Sequence, residues 1–391
     1  MAVKIVRQPN KIALLGAPTS AAAMSLGHEG APAALRAAGL TDRLRSIGYD
    51  VNDLGDDPPQ LYQPDEESPR ARNLPRVLAA IEALKPRVEQ AVKSGALPLV
   101  LSGDCSVALA VVAGVRRYFR NVGLIYMDRD ADLNTPATTP SGCVDGMVVS
   151  HLTGRGAAEL VRFWSEPPLV REPDLVLFGV ERLDPPEEEF LQRSMLRRYL
   201  AADVHKMGAT SAAQVAVERI HSGNHEFVLH LDVDVIADFH ATNYPGSGGL
   251  TLDQVREALR VVAKQKHLAA VVLTAYNPAK DPDGAGATVI LDLLGDFLSV
   301  RLEALREVAA AAASSPAASV PGVPVADAPA TATQTISESA ASPAASPASP
   351  AANPDKAWPP DTSGASETEA NQPAEAPAQP ESPAESKPPE S

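Results

Sequence analysis

Between Lys11 and about residue 310 the chain alternates short, continuous apolar runs with longer stretches of helical spacing. The runs are Lys11–Gly16 (KIALLG), Leu97–Leu101 (LPLVL), Gly123–Met127 (GLIYM), Leu175–Gly179 (LVLFG), Phe227–Asp232 (FVLHLD) and Ala269–Thr274 (AAVVLT), and the more polar Tyr49–Leu54 (YDVNDL) reads as a further strand. A strand with one wet face alternates apolar and polar residues, whereas a run apolar at nearly every position is covered on both faces. Between the runs, Pro32–Leu44, Asn73–Ser94, Ser106–Phe119, Glu187–Tyr199, Ser211–His221, Leu252–Gln265 and Ala287–Ala310 read as helices. In Asn73–Ser94, for example, Leu74, Val77, Leu78, Ile81 and Leu84 fall on one face. Strands and helices in this alternation predict an α/β domain with a mainly parallel sheet between helical layers. Ligands of such sheets gather beyond the carboxyl ends of the strands.

The pattern stops near residue 308, so the expected division is a folded domain over 1–308 and a tail over 309–391. The tail is almost wholly Ala, Pro, Ser, Glu, Thr and Gln, holds sixteen of the 36 prolines, and has Trp358 as its one aromatic residue. So little apolar surface cannot offset the entropy of ordering, and the tail is expected to be disordered. It also carries about half of the net charge of −15, leaving the domain mildly acidic. That balance argues against nucleic acid as a partner. No run is apolar enough for a signal peptide or a membrane span, and two cysteines, Cys105 and Cys143, exclude a disulfide scaffold. A cytoplasmic protein that binds neither nucleic acid nor membrane is the expectation.

Where the predicted strands end, the residues become acidic. GLIYM runs into Asp128-Arg129-Asp130-Ala131-Asp132, and FVLHL into Asp232-Val233-Asp234. On extended backbone alternate residues face one side, so the carboxylates of each cluster converge while Arg129 and Ala131 point away. Oxygen donors of this kind suit Mg²⁺, Ca²⁺ or Mn²⁺. Solvated strand ends are the plain alternative.

The surrounding motifs are more specific. SGDCS at Ser102–Ser106, DRDADLNTPATTPSG at Asp128–Gly142, GVERLDPPEEE at Gly179–Glu189, and HLDVDV followed by NYPGSGGLT resemble the arginase (ureohydrolase) superfamily in order and spacing. So do the opening KIALLGAPTS with GHEGAPAALRAAGL and the closing AYNPAKDPDGAGA. The resemblance implies a three-layer α/β/α sandwich, usually assembled as a homo-oligomer (trimer or hexamer). It also implies two Mn²⁺ ions that activate a bridging hydroxide against a guanidinium or amidine carbon. The family's four metal-binding aspartates match Asp128, Asp132, Asp232 and Asp234. Its two ligand histidines are replaced by Cys105 and Asp130, its proton-shuttling histidine by Asp145, and the acidic residue that grips the guanidinium by Ala275. Asn134, Ser141 and Asp184 match residues that hold the amino-acid end of arginine, while the asparagine of the family's SGN is Cys143.

Extra carboxylates at the metals raise the pKa of bound water, the wrong direction for making hydroxide near neutrality. A thiol at 105 suits Zn²⁺ or Fe²⁺ better than Mn²⁺. The leading expectation is therefore a member whose hydrolysis is lost or strongly impaired and which serves in binding or assembly. The alternative is a divergent metal-dependent amidinohydrolase with an altered metal or substrate. The cluster itself leaves two readings side by side: an oxygen-donor Mg²⁺ or Ca²⁺ site, or inherited residues that hold no metal. Likewise the ligand is a small amidine or guanidine, or there is none. Among His28, His151, His230 and His240 no two stand at ligand spacing; His230, two before Asp232, is the best placed.

Overall fold

The protein is described by a computed structural model covering residues 5–164, 166–222 and 226–314. Residues 315–391, most of the expected tail, lie outside the described residues.

Eight strands form one sheet: β1 (Lys11–Ala17), β2 (Asp50–Asp56), β3 (Leu97–Ser102), β4 (Val122–Met127), β5 (Leu175–Val180), β6 (Arg197–Leu200), β7 (Glu226–Asp232) and β8 (Leu268–Thr274). Their order is β2-β1-β3-β8-β7-β4-β5-β6, and every neighbouring pair is parallel. Alternate residues of each strand feed two separate cores, as a sheet covered on both faces requires. Leu99 and Leu101 of β3 face one core with Leu35, Leu44, Leu259 and Phe297. Val100 faces the other, with Ile81, Leu84, Leu109 and Val112. The parallel sheet covered on both faces that the alternation predicts, and the three-layer α/β/α sandwich that the resemblance implies, are the observed architecture.

Two local expectations are corrected. Pro32–Leu44 is not one helix but two, Ala31–Ala37 and Leu40–Ile47, separated where Gly39 takes a left-handed φ of 95°. Glu187–Tyr199 is helical only over Pro185–Arg193, after which Arg197–Leu200 becomes the edge strand β6. An edge strand needs only one neighbour and keeps a wet side, so it carries no apolar run to announce it. The final helix runs Ala285–Ser314, past residue 308.

The topology concentrates the chemistry. β3, β8, β7 and β4 are four consecutive strands at the centre of the sheet, and Cys105, Thr274, Asp232 and Asp128 lie at or just beyond their carboxyl ends. Register is decisive: Met127 pairs with Leu231 and Asp232 with Thr274, which sets Asp128 beside Asp232 and both beside β8.

Candidate metal centre

Each functional side chain is held by backbone that turns immediately after its strand. Behind β3, Gly103 passes so close to the chain that a Cβ would lie 1.8 Å from the Thr19 carbonyl oxygen, so only glycine fits. Asp104 then caps the short 3₁₀ turn Cys105–Val107, accepting from the Ser106 N–H at 3.2 Å and from Thr19 Oγ1 at 2.8 Å. Behind β4 the Asp130 N–H donates to Asp128 Oδ1 at 2.8 Å, and behind β7 the Asp234 N–H donates to Asp232 Oδ1 at 2.7 Å. The two D-x-D segments thus make the same side-chain-closed turn.

Two groups of potential ligands result, sharing Asp128. Cys105, Asp128, His230 and Asp232 are all buried, and one ligand atom from each lies within 4.8 Å of the others. Asp128, Asp130 and Asp234 form the second group within the same limit. A buried cluster able to hold a metal ion is therefore present. Asp132 belongs to neither group; its carboxylate accepts from the Tyr126 hydroxyl. Nor does Arg129 reach solvent: it is buried, donates to the Tyr244 carbonyl, and lies 3.7 Å from Asp234.

The second group already has a cation. Arg182, just after β5, forms ion pairs with both Asp130 and Asp234, its Nη2 lying 2.9 Å from Asp234 Oδ2. A divalent ion about 4 Å from a guanidinium would be repelled by roughly 8 kcal/mol at an effective dielectric of about 20. A cation entering the second group would therefore compete with Arg182 for Asp130 and Asp234.

Burial dominates the protonation states. It pushes Asp128, Asp132 and Asp232 well above the ordinary carboxylate range, with neighbouring carboxylates adding to the shift. Asp130 is raised less, to about 6, because burial and Asp234 are opposed by Arg182. Burial, then Asp104, raises Asp145 to about 8, although it accepts from the Cys105 N–H at 2.7 Å and the Tyr244 hydroxyl at 3.2 Å. Burial, then Asp232, pushes the Cys105 thiol up, and burial drives His230 down to about 3, so its ring is neutral.

All of these shifted groups except His230 line a pocket of about 620 Å³, the size of a small-molecule site. Its lining includes Asn134, Ser141, Cys143 and Asp184. Asn134 Nδ2 donates to Asp184 Oδ2 at 2.8 Å, and Glu187 clamps both segments, accepting from the N–H groups of Leu133, Asn134 and Asp184. Ala275 is buried with a left-handed φ of 67° and is not among the residues that line the pocket. Both cysteines are free. His28 and His151 are buried acceptors of backbone N–H groups, and His240 is exposed; none joins either ligand group. Arg182, Glu187 and Tyr244 are the residues that the sequence reading passed over. All three lie inside quoted motifs, but an Arg or Glu one turn from an Asp has no pattern that marks it as a pocket residue.

The profile of the Arginase family matches residues 10–299. The chain belongs to the arginase family. It is 30% identical to the arginase of Bacillus caldovelox over 297 residues, covering 74% of this chain and 99% of that one. It is likewise 30% identical to an arginase of Staphylococcus aureus over 300 residues, covering 74% and 98%. Among solved structures, arginase from Bacillus cereus superposes with a TM-score of 0.69 at 29% identity, covering 74% of this chain and 98% of that one. No helix among the described residues is long and apolar enough to cross a membrane.

Proposed function

We propose that this arginase-family chain does not hydrolyse guanidino compounds at an enzymatic rate and serves instead as a binding or assembly subunit. The observation that carries the proposal is the Arg182 ion pair with Asp130 and Asp234, which holds a side-chain cation where a pair of metal ions needs its second member. Three further features point the same way. Asp145, at the shuttle position, is engaged by Cys105 and Tyr244. Asp130 and Cys105 replace neutral imidazole by acidic groups. Ala275 offers no acceptor to a guanidinium. Loss of a general acid alone commonly costs about 10²–10⁴-fold in rate.

The pocket itself is retained, with Asn134, Ser141 and Asp184 on its lining. A small amino-acid-like molecule, its polar end on these residues, is the ligand class this favours. Assembly as a homo-oligomer, a trimer or hexamer, and a cytoplasmic location belong to the same proposal. A second reading, a divergent hydrolase of linear amidines using a different metal, is favoured by the close Cys105–Asp128–His230–Asp232 group. Urea release from arginine and agmatine, with Mn²⁺ and with Zn²⁺ supplied, tests the two. Turnover in the ordinary range of about 1–10³ s⁻¹ overturns the first. Negligible release, with arginine binding seen by calorimetry, supports it.

A further inference from the structure

We infer that Cys105, Asp128, His230 and Asp232 form a single-ion site for a borderline-soft divalent cation of the Zn²⁺ class, with Arg182 as the fixed charge beside it. The inference deepens the reading above by naming the kind and number of ions, and it rests on the same Arg182 contact.

The donor set is the first argument. One sulfur, one imidazole nitrogen and two carboxylates make the four-donor set that Zn²⁺ accepts, whereas Mg²⁺, Ca²⁺ and Mn²⁺ favour oxygen. The four ligand atoms converge within 4.8 Å from the ends of β3, β7 and β4, with β8 lying between β3 and β7, and every one of the side chains is buried.

His230 supplies the independent observation. It is fully buried, its Nδ1 has no hydrogen-bond partner, and its Nε2 has only long contacts, 3.4 Å to Thr274 Oγ1 and 3.8 Å to Asp128 Oδ2. Burying a poorly satisfied imidazole costs free energy unless something binds it. Its orientation is nevertheless fixed: the ring stacks on Tyr126 with centroids 4.0 Å apart and planes 2° from parallel. An orienting hydroxyl is also in place. Thr274 Oγ1 lies 3.2 Å from Cys105 Sγ, 3.4 Å from Asp232 Oδ2 and 3.4 Å from His230 Nε2, touching three of the four donors at once.

Charge counting agrees. When the ion enters, Cys105 gives its proton to bulk solvent and binds as thiolate, and any proton held by Asp128 or Asp232 leaves to solvent with it. The ion then faces one thiolate and two carboxylates, while Arg182 and Arg129 answer Asp130 and Asp234. A second divalent ion would have to expel Arg182.

Cobalt substitution of the metal-free full chain provides the test, because Co²⁺ reports its ligands by colour. The expected result is one Co²⁺ per chain, with the visible bands of a four-coordinate ion and a near-ultraviolet thiolate-to-cobalt band. One equivalent of Zn²⁺ should bleach both, and excess Mn²⁺ should not. The thiolate band should vanish in Cys105→Ser and persist in Cys143→Ser, and His230→Gln should alter the visible bands. One ion without the thiolate band in the unsubstituted chain, or no ion at all, overturns the inference and leaves the Arg182 reading standing. Two ions per chain overturn both. Urea release at an enzymatic rate, with the thiolate band intact, overturns only the non-hydrolytic reading.

Discussion

Replacing Arg182 by Met removes the side-chain cation while keeping a long, flexible apolar stem. Its cost lies between two limits: exposed ion pairs contribute about 0–1 kcal/mol, whereas stripping one partner from a buried pair costs about 3–5 kcal/mol. The Arg182 and Asp130 side chains are 38% and 36% exposed, and that of Asp234 is 2% exposed, so the loss should be about 1–3 kcal/mol in the presence of a chelator. At about 2 °C per kcal/mol for a domain of this size, the midpoint of thermal unfolding should fall by roughly 2–6 °C. Divalent cation should then reverse the order. With the guanidinium gone, Asp128, Asp130 and Asp234 are free to take an ion, and Mn²⁺ at 100 times its dissociation constant stabilises by about 2.7 kcal/mol. The assay is thermal unfolding of both proteins across a Mn²⁺ titration, with bound metal counted at each end. Arg182→Lys should be intermediate, since it keeps the charge without the planar fork. If Arg182→Met is no less stable in chelator and its response to Mn²⁺ matches that of the unsubstituted chain, Arg182 is not the counter-ion of this cluster.

The remaining predictions separate ligands from scaffolding. Asp232→Asn should abolish stabilisation by added cation while raising stability in chelator, because a repelling charge leaves the cluster; Asp132→Asn, outside both ligand groups, should leave the cation-dependent gain intact, and unfolding midpoints with and without metal check both. Glu187→Ala strips the Leu133 and Asp184 N–H groups of their acceptor, while the Asn134 N–H keeps the Gly146 carbonyl, and should cost at least about 2 kcal/mol in urea unfolding, with arginine binding weakened through Asn134 and Asp184. Burial holds His28 at about 3 and His151 at about 4, below the unfolded value of about 6.5. As pH falls from about 6.5 to 4, the unfolded chain takes up protons that the native one refuses, so each histidine withdraws about 1.4 kcal/mol of stability per pH unit. That slope should be missing from a His28→Gln/His151→Gln variant and so appear in the stability difference between it and the unsubstituted chain; an unchanged difference at pH 7 and pH 5 would sink the argument.

The apolar runs specified the sheet because a strand buried on both faces has no polar register to hide it. KIALLG, GLIYM and AAVVLT each became a strand within a residue or two of the expected bounds. The aspartates behind GLIYM and FVLHL were legible for the same reason, since their strands were. β6 was not, because an edge strand beginning Arg197-Arg198 satisfies its backbone from β5 alone and needs no apolar sequence. The candidate site divides along a similar line. Local sequence placed Asp128, Asp130, Asp232 and Asp234 at strand ends, because a turn closed by Asp two residues back is a local interaction. What surrounds those carboxylates is not local. Whether Asp132 faces the cluster or the Tyr126 hydroxyl depends on one left-handed residue, Asp132 itself at φ 50°. That Arg182 reaches Asp234, 52 residues away, and that His230 meets Cys105 across β8, follow from a strand order in which β7 lies between β4 and β8. Hydrogen bonding and side-chain alternation act over a few residues and can be read along the chain. The counter-ion of a buried carboxylate is set by whichever strand packs alongside, and only the tertiary structure decides that.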